Sequence, residues 1–153
     1  MKRPTFTILV ATGDANDRSF IRRTIEATNV HAQVRLVNCG EEAIAYLKGK
    51  KQFAAREDYQ YPSFLLTDLT MAPGDGFSVL SYLKSTPESA IIPTVVLSGS
   101  RDVNDIKKAY ALGASAYLVK PAQPDEFARL IHLLVAFWMV CEVPEVDLAG
   151  HRV

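Results

Sequence analysis

Short β-branched and apolar runs alternate with amphipathic stretches along this chain, and that alternation limits its fold more than any other feature. Residues 6–11 (FTILVA) form a continuous apolar run, as expected of a strand covered on both faces. Residues 17–28 follow with Phe20, Ile21, Thr24 and Ile25 at helical spacing. Residues 33–38 (QVRLVN) alternate in the manner of an edge strand, and 41–47 (EEAIAYL) read as a helix stopped by Gly49. A polar connection at 50–61 leads to a third strand at 64–68 and a helix at 76–85. A fourth strand at 94–97, a helix at 102–112 ending at Gly113, and a fifth strand at 115–119 follow. The last helix spans 125–140, with Pro124 suited to its first turn.

Five strands alternating with five helices dictate a parallel sheet, because right-handed crossovers cover both of its faces. An edge-like second strand favours the doubly wound α/β arrangement with strand order 2-1-3-4-5, the flavodoxin-like topology. In such a sheet the ligand crevice opens beyond the carboxyl ends of strands one and three. There the pattern gathers Thr12, Gly13 and Asp14 after the first strand, Asp68 ending the third, Ser98 ending the fourth and Lys120 just past the fifth. A carboxylate, a hydroxyl and an ammonium converging in this way can handle a phosphoryl group. Asp68 could attack phosphorus and form an acyl phosphate. Ser98 could donate to a phosphoryl oxygen, and Lys120 could neutralise charge as a compact cation. A hard divalent cation would complete the set.

Bulk properties narrow the class. With 153 residues, 48% of them apolar, the chain supports one well-packed core and not two. Seventeen basic and seventeen acidic residues cancel, which argues against nucleic acid or an anionic membrane as a partner. The longest apolar run, around 130–143, is broken by His132 and Glu142 and is too short to span a bilayer. Residues 1–5 do not read as a signal peptide. Cys39 and Cys141 form no paired motif, which suits a reducing cytoplasm, and His31, His132 and His151 share no metal-ligand spacing. The expected location is cytoplasmic.

Three segments then carry a specific resemblance. FLLTDLTMAPGDG (64–76), SGSRD (98–102) and GASAYLVKPA (113–122) resemble, in order and spacing, the motifs of response-regulator receiver domains. The resemblance runs from residue 5 to about residue 140. It implies a non-enzymatic signalling module with Asp68 as phosphoacceptor, Ser98 as switch hydroxyl, Tyr117 as switch aromatic and Lys120 as charge partner. It implies Mg2+ as cofactor, held by Asp68 and the backbone carbonyl of Thr70, and a cis peptide before Pro121. It implies a sensor histidine kinase or phosphotransfer protein as donor, and a downstream protein as target. The connection 50–61 and the segment AFWMVCEVP (136–144) are similar to single-domain regulators, some partnered with bacterial phytochrome-type kinases. The expected organisation is a receiver over 1–143 and a tail over 144–153, without an output domain.

One departure stands out. The family carries two adjacent acids after its first strand, where this chain has Thr12 and Gly13. Asp14, one place later, reads either as a turn or cap residue or as a substitute ligand. Weak magnesium binding and slow phosphorylation are expected unless Asp14 substitutes. The alternative function is a phosphorylation-independent pseudo-receiver that acts as a protein-binding module. A flavin-binding reading of ATGDAND (11–17) leaves Asp68 and Lys120 unexplained, and a phosphatase reading lacks a second Asp at Thr70. Asp75-Gly76 reads as a turn with Gly supplying unusual dihedrals. On the last helix, Phe127, Leu130, Ile131, Leu134 and Trp138 form a core stripe. Leu133, Phe137, Val140 and Val143 extend apolar surface beyond it, which points to a homodimer through this helix.

Overall fold

Strand and helix alternate from end to end: β1 (Phe6–Ala11), α1 (Ala15–Glu26), β2 (Ala32–Val37), α2 (Gly40–Lys48), β3 (Phe64–Thr67), α3 (Gly76–Ser85), β4 (Thr94–Ser98), α4 (Val103–Ala111), β5 (Ala116–Val119) and α5 (Pro124–Val140). The structure, a computed structural model, describes residues 6–28, 31–86, 92–144 and 146–151; the absence of a signal peptide read at 1–5 concerns residues outside these. The strands pair in parallel in the order β2-β1-β3-β4-β5, the expected flavodoxin-like topology. Burial follows position in the sheet. The central strands β3 and β4 are buried at every residue, whereas β5 at the edge is only half-buried.

Alternation along β1 divides the core between the faces. Leu9 and Ala11 pack with α2 and α3, through Tyr46, Val79 and Leu83. Ile8 and Val10 pack with α1 and α5, through Ile21, Ile25, Ile131 and Leu134. Helix α4 is fastened far more lightly: Ala109 is its one buried residue.

Local chemistry sets the helix starts. Asp14 caps α1, its Oδ1 accepting from the N–H groups of Asn16 at 2.8 Å and Asp17 at 3.0 Å. That cap starts the helix two residues before the 17–28 reading, and α1 also ends two residues before it, at Glu26, while every other boundary falls within one residue of the pattern. Asp75 and Asp102 cap α3 and α4 in the same manner. The positive φ near Asp75 belongs to Gly74 (81°), not to Gly76. Gly76 is required for a different reason, because a Cβ there would collide with the carbonyl oxygen of Asp68.

The connection between α2 and β3 is built around Arg56. Its guanidinium donates to the carbonyls of Tyr46 (2.7 Å), Leu47 (2.6 Å) and Tyr59 (3.1 Å), thereby satisfying the open C-terminal end of α2. Tyr46 donates its hydroxyl to Gln60 O at 2.8 Å, and burial pushes its pKa up to about 12. The C-terminal segment closes over this connection: Tyr61 N–H donates to Leu148 O at 2.9 Å, and Val146 is buried in the core. Arg56→Ala is expected to destabilise the fold by about 2–4 kcal/mol, because it removes the guanidinium from the partly buried carbonyls of Leu47 and Tyr59, Tyr46 O keeping the Gly49 N–H. Thermal unfolding should shift down by roughly 5–12 °C. Arg56→Lys should recover little, since a point charge cannot fork to three acceptors. A melting temperature unchanged in the Ala variant would contradict this account.

Candidate phosphoryl-acceptor site

Asp68 stands one residue beyond β3, and its N–H still donates to Ala11 O at 2.9 Å, so the backbone is held in register with β1. Its Oδ1 accepts from the Leu69 N–H at 2.7 Å, leaving Oδ2 facing Lys120 Nζ at 3.3 Å. The side chain is 14% exposed, enough for a small anion to reach it. Lys120 follows β5 in the same way, its N–H donating to Ser98 O at 2.8 Å. The strand-end convergence expected of Asp68 and Lys120 is therefore present. Ala11, Thr12, Thr67 and Leu97 share the small cavity between them.

A second carboxylate is also there. Lys120 Nζ lies 2.6 Å from Asp17 Oδ2, closer than it lies to Asp68. Burial acts most strongly on this ammonium and would lower its pKa. The Asp17 hydrogen bond and the Asp68 charge together outweigh burial and raise the pKa above the usual lysine value. The lysine is thus fully charged, with two acids competing for it. Sequence reading placed Asp17 only at a helix start. The signal that could have found it was its place in the first turn of α1, a helix that packs against the α5 following Lys120.

Ser98 is buried, and its Oγ accepts from the Ser100 N–H at 3.1 Å, the strand-end turn its position allows. Ser100 extends the connection. Its Oγ donates to Asp105 at 2.7 Å, and its carbonyl accepts the Tyr117 hydroxyl at 2.9 Å. The Tyr117 ring packs on the small cluster of Leu69, Leu80, Val96, Ala109 and Ala114.

The loop after β1 is closed on itself. Thr12 Oγ1 accepts from Asp14 N–H at 3.3 Å, and Thr12 O accepts from Arg18 Nη1 at 2.7 Å. Gly13 is exposed, and a Cβ there would meet only Asn38 O, at 3.6 Å. The Asp14 carboxyl is engaged in capping, and the bond from the Asp17 N–H is the chief cause of its lowered pKa. Thr70 is exposed, two residues past Asp68. Among the described residues no cluster of three or more His, Cys, Asp or Glu could hold a metal ion. The cis peptide expected before Pro121 is not found; among the described residues the one cis bond is Ala72–Pro73.

The profile of the response regulator receiver domain matches residues 8–132. The chain belongs to this family. As a receiver it is a phosphoryl-accepting regulator of two-component signalling. Response regulator Rcp1 of a Synechocystis strain is 24% identical over 136 residues, covering 89% of this chain and 90% of Rcp1. The phosphorylated cyanobacterial phytochrome response regulator RcpA superposes with a TM-score of 0.85 at 29% identity, over 92% of this receiver and 99% of RcpA. Response regulator RPA3017, in red light signalling of R. palustris, gives 0.83 at 33% identity, over 91% and 98%. The Mn2+-bound form of Rcp1, at 24% identity over 92% and 99%, gives 0.83 and supports the fold.

Proposed function

We propose that Asp68 is the phosphoacceptor of this receiver. The observation that carries the reading is the Lys120 ammonium 3.3 Å from Asp68 Oδ2, at the switch point of the sheet. A carboxylate oxygen of Asp68 forms the new bond to phosphorus as the donor's bond breaks, and the leaving group keeps that electron pair. Lys120 offsets the negative charge on the phosphoryl oxygens. The Ser98 hydroxyl exchanges its contact with the Ser100 N–H for a phosphoryl oxygen. The Ser100 carbonyl then transmits the change to the Tyr117 hydroxyl it accepts.

A magnesium ion fits this chain only as a water-rich, weakly held ligand. One carboxylate and one carbonyl, from Asp68 and Thr70, would hold it where Thr12 and Gly13 supply no acid. Mg2+ commonly keeps several waters and takes one or two carboxylates together with substrate phosphate, so such a set is compatible with binding. When bound, the ion would screen the carboxylate from the incoming phosphoryl oxygens. The Mn2+-bound form of Rcp1 shows that one protein of this fold takes up a divalent ion.

The donor in this reading is a sensor histidine kinase or a phosphotransfer protein, and the output is contact with a downstream protein. The location in this reading is cytoplasmic; among the described residues no helix is long and apolar enough to cross a membrane. Incubation of the wild-type chain with a small phosphodonor and Mg2+ is expected to add the mass of one phosphoryl group; an unchanged intact mass overturns the reading. The pseudo-receiver alternative is less favoured, given a phosphorylated relative of 29% identity.

The same reading includes a homodimer through α5. Leu133, Phe137 and Val140 are 62%, 59% and 82% exposed at i, i+4, i+7 spacing, a stripe on the side away from the core residues Ile131 and Leu134. Phe137→Glu is expected to convert a dimer at micromolar concentration into a monomer on light-scattering chromatography. A wild-type monomer under those conditions removes this part of the proposal.

A further inference from the structure

Asp17 is the one carboxylate in contact with the Lys120 ammonium that neither the acid-pair positions nor the acceptor position accounts for. It reaches Lys120 from the first turn of α1, more than a hundred residues away in the chain, and holds Nζ at 2.6 Å against 3.3 Å for Asp68. The pair is partly sheltered, with side chains 21% and 23% exposed, and Asp17 lines an open cleft with Asn16, Pro121 and Phe127. At Thr12 and Gly13, where the family has acids that recruit a cation, there is no charge. Asp17, Asp68 and Lys120 sum to one net negative charge facing an anionic donor, and beside them Asp14 and Arg18 offset one another.

We propose that Asp17 is a positioning residue that competes with the incoming phosphoryl group for Lys120, and so acts as an electrostatic brake on phosphorylation of Asp68. Before transfer the ammonium rests against Asp17. During transfer it must swing toward the phosphoryl oxygens, and the Asp17 charge opposes both that movement and the approach of the donor. Neutralising Asp17 lifts both oppositions, while Asp68 still tethers Lys120. The effect is one of charge, so it scales with the charge of the donor and is screened by salt. The proposal rests on Asp68 being the acceptor.

The test uses two donors at neutral pH: acetyl phosphate, a dianion that releases acetate, and phosphoramidate, a monoanion that releases ammonia from an already protonated nitrogen. In each the bond to the leaving group breaks with its electron pair, and the new bond is from Asp68 oxygen to phosphorus. Labelling of the full chain is followed by intact mass in Mg2+. Asp17→Asn is expected to take up phosphate from acetyl phosphate roughly three- to tenfold faster than wild type. The gain should be smaller with phosphoramidate and should shrink as salt is raised. Asp17→Glu should return the slow rate, and Asp17→Ala should behave like Asp17→Asn, which separates loss of charge from loss of a particular shape. Equal factors for the two donors, a salt-independent gain, or slower labelling of both neutral variants overturns the brake. If wild type is labelled on Asp68 and the Asp17 variants match it, the brake alone fails. If wild type gains no phosphate with either donor, the Asp68 assignment fails and takes the brake with it.

Discussion

Asp68→Asn is expected to abolish phosphoryl uptake, leaving no mass increase under conditions that label the wild-type chain completely. An amide oxygen carries no full negative charge, and attack through it leaves no stable acyl phosphate, so the substitution removes the nucleophile while preserving its shape. The fold should survive. Lys120 retains Asp17 at 2.6 Å, so the ammonium is not orphaned, and the Asn side-chain oxygen can still accept the Leu69 N–H. A partly exposed ion pair contributes little, so the stability change should stay under about 1 kcal/mol. Melting temperature and labelling together form the check: a folded, unlabelled variant supports the acceptor role. A variant labelled as fast as wild type would shift suspicion to Asp17, the other carboxylate at the lysine.

Gly13→Asp is expected to tighten Mg2+ binding by about tenfold or more, read by isothermal titration. Gly13 has an exposed, open position and a φ outside the left-handed region, so a side chain enters without backbone strain; its Cβ meets only Asn38 O at 3.6 Å. A carboxylate about 5 Å from a dication, at an effective dielectric near 20, gains roughly 6–7 kcal/mol of gross attraction. Even after desolvation removes most of that, about 1–2 kcal/mol remains, which is the tenfold change. The neighbouring N-terminus of α1 favours added negative charge there. Thr12→Asp is the poorer choice, because Thr12 is buried and its hydroxyl already accepts from Asp14. Unchanged affinity in Gly13→Asp would mean that the ion sits elsewhere or that no ion binds.

The sheet was legible because its strands are short, apolar and separated by helices whose faces repeat at the helical period. The run 6–11 and the helix 76–85 coincide with β1 and α3 to the residue. Asp68 and Lys120 were legible for the same reason, since a residue at the carboxyl end of a parallel strand has its position fixed by the topology. Asp17 was not. Its contact with Lys120 depends on how closely α1 docks beside α5, and the sequence marks only its place in the first turn of α1, not that docking. The Arg56 junction was hidden in another way: 50–61 looks like a polar linker, because an arginine that satisfies carbonyls is written with the same letter as one that faces water. Asp14 was readable as an N-cap from its residue type, and the turn it closes shows that cap in place. The Ala72–Pro73 cis bond has no signal beyond the proline itself.

The unequal fastening of the helices has a consequence for how a signal leaves the molecule. On one flank α2, the Arg56 junction and the returning C-terminal segment hold one another through buried aromatic rings and backbone carbonyls. On the opposite flank α4 buries only Ala109 and is otherwise held by surface hydrogen bonds such as Ser100 to Asp105 and the Tyr117 N–H to the Tyr110 hydroxyl, and β5 beneath it is half open to water. Displacing α4 disturbs less buried surface than displacing any tightly packed neighbour, so a local rearrangement at the strand ends meets its lowest resistance there. The surface a listening protein would find altered is then chosen by where the core is thin, and not by nearness to the carboxylate.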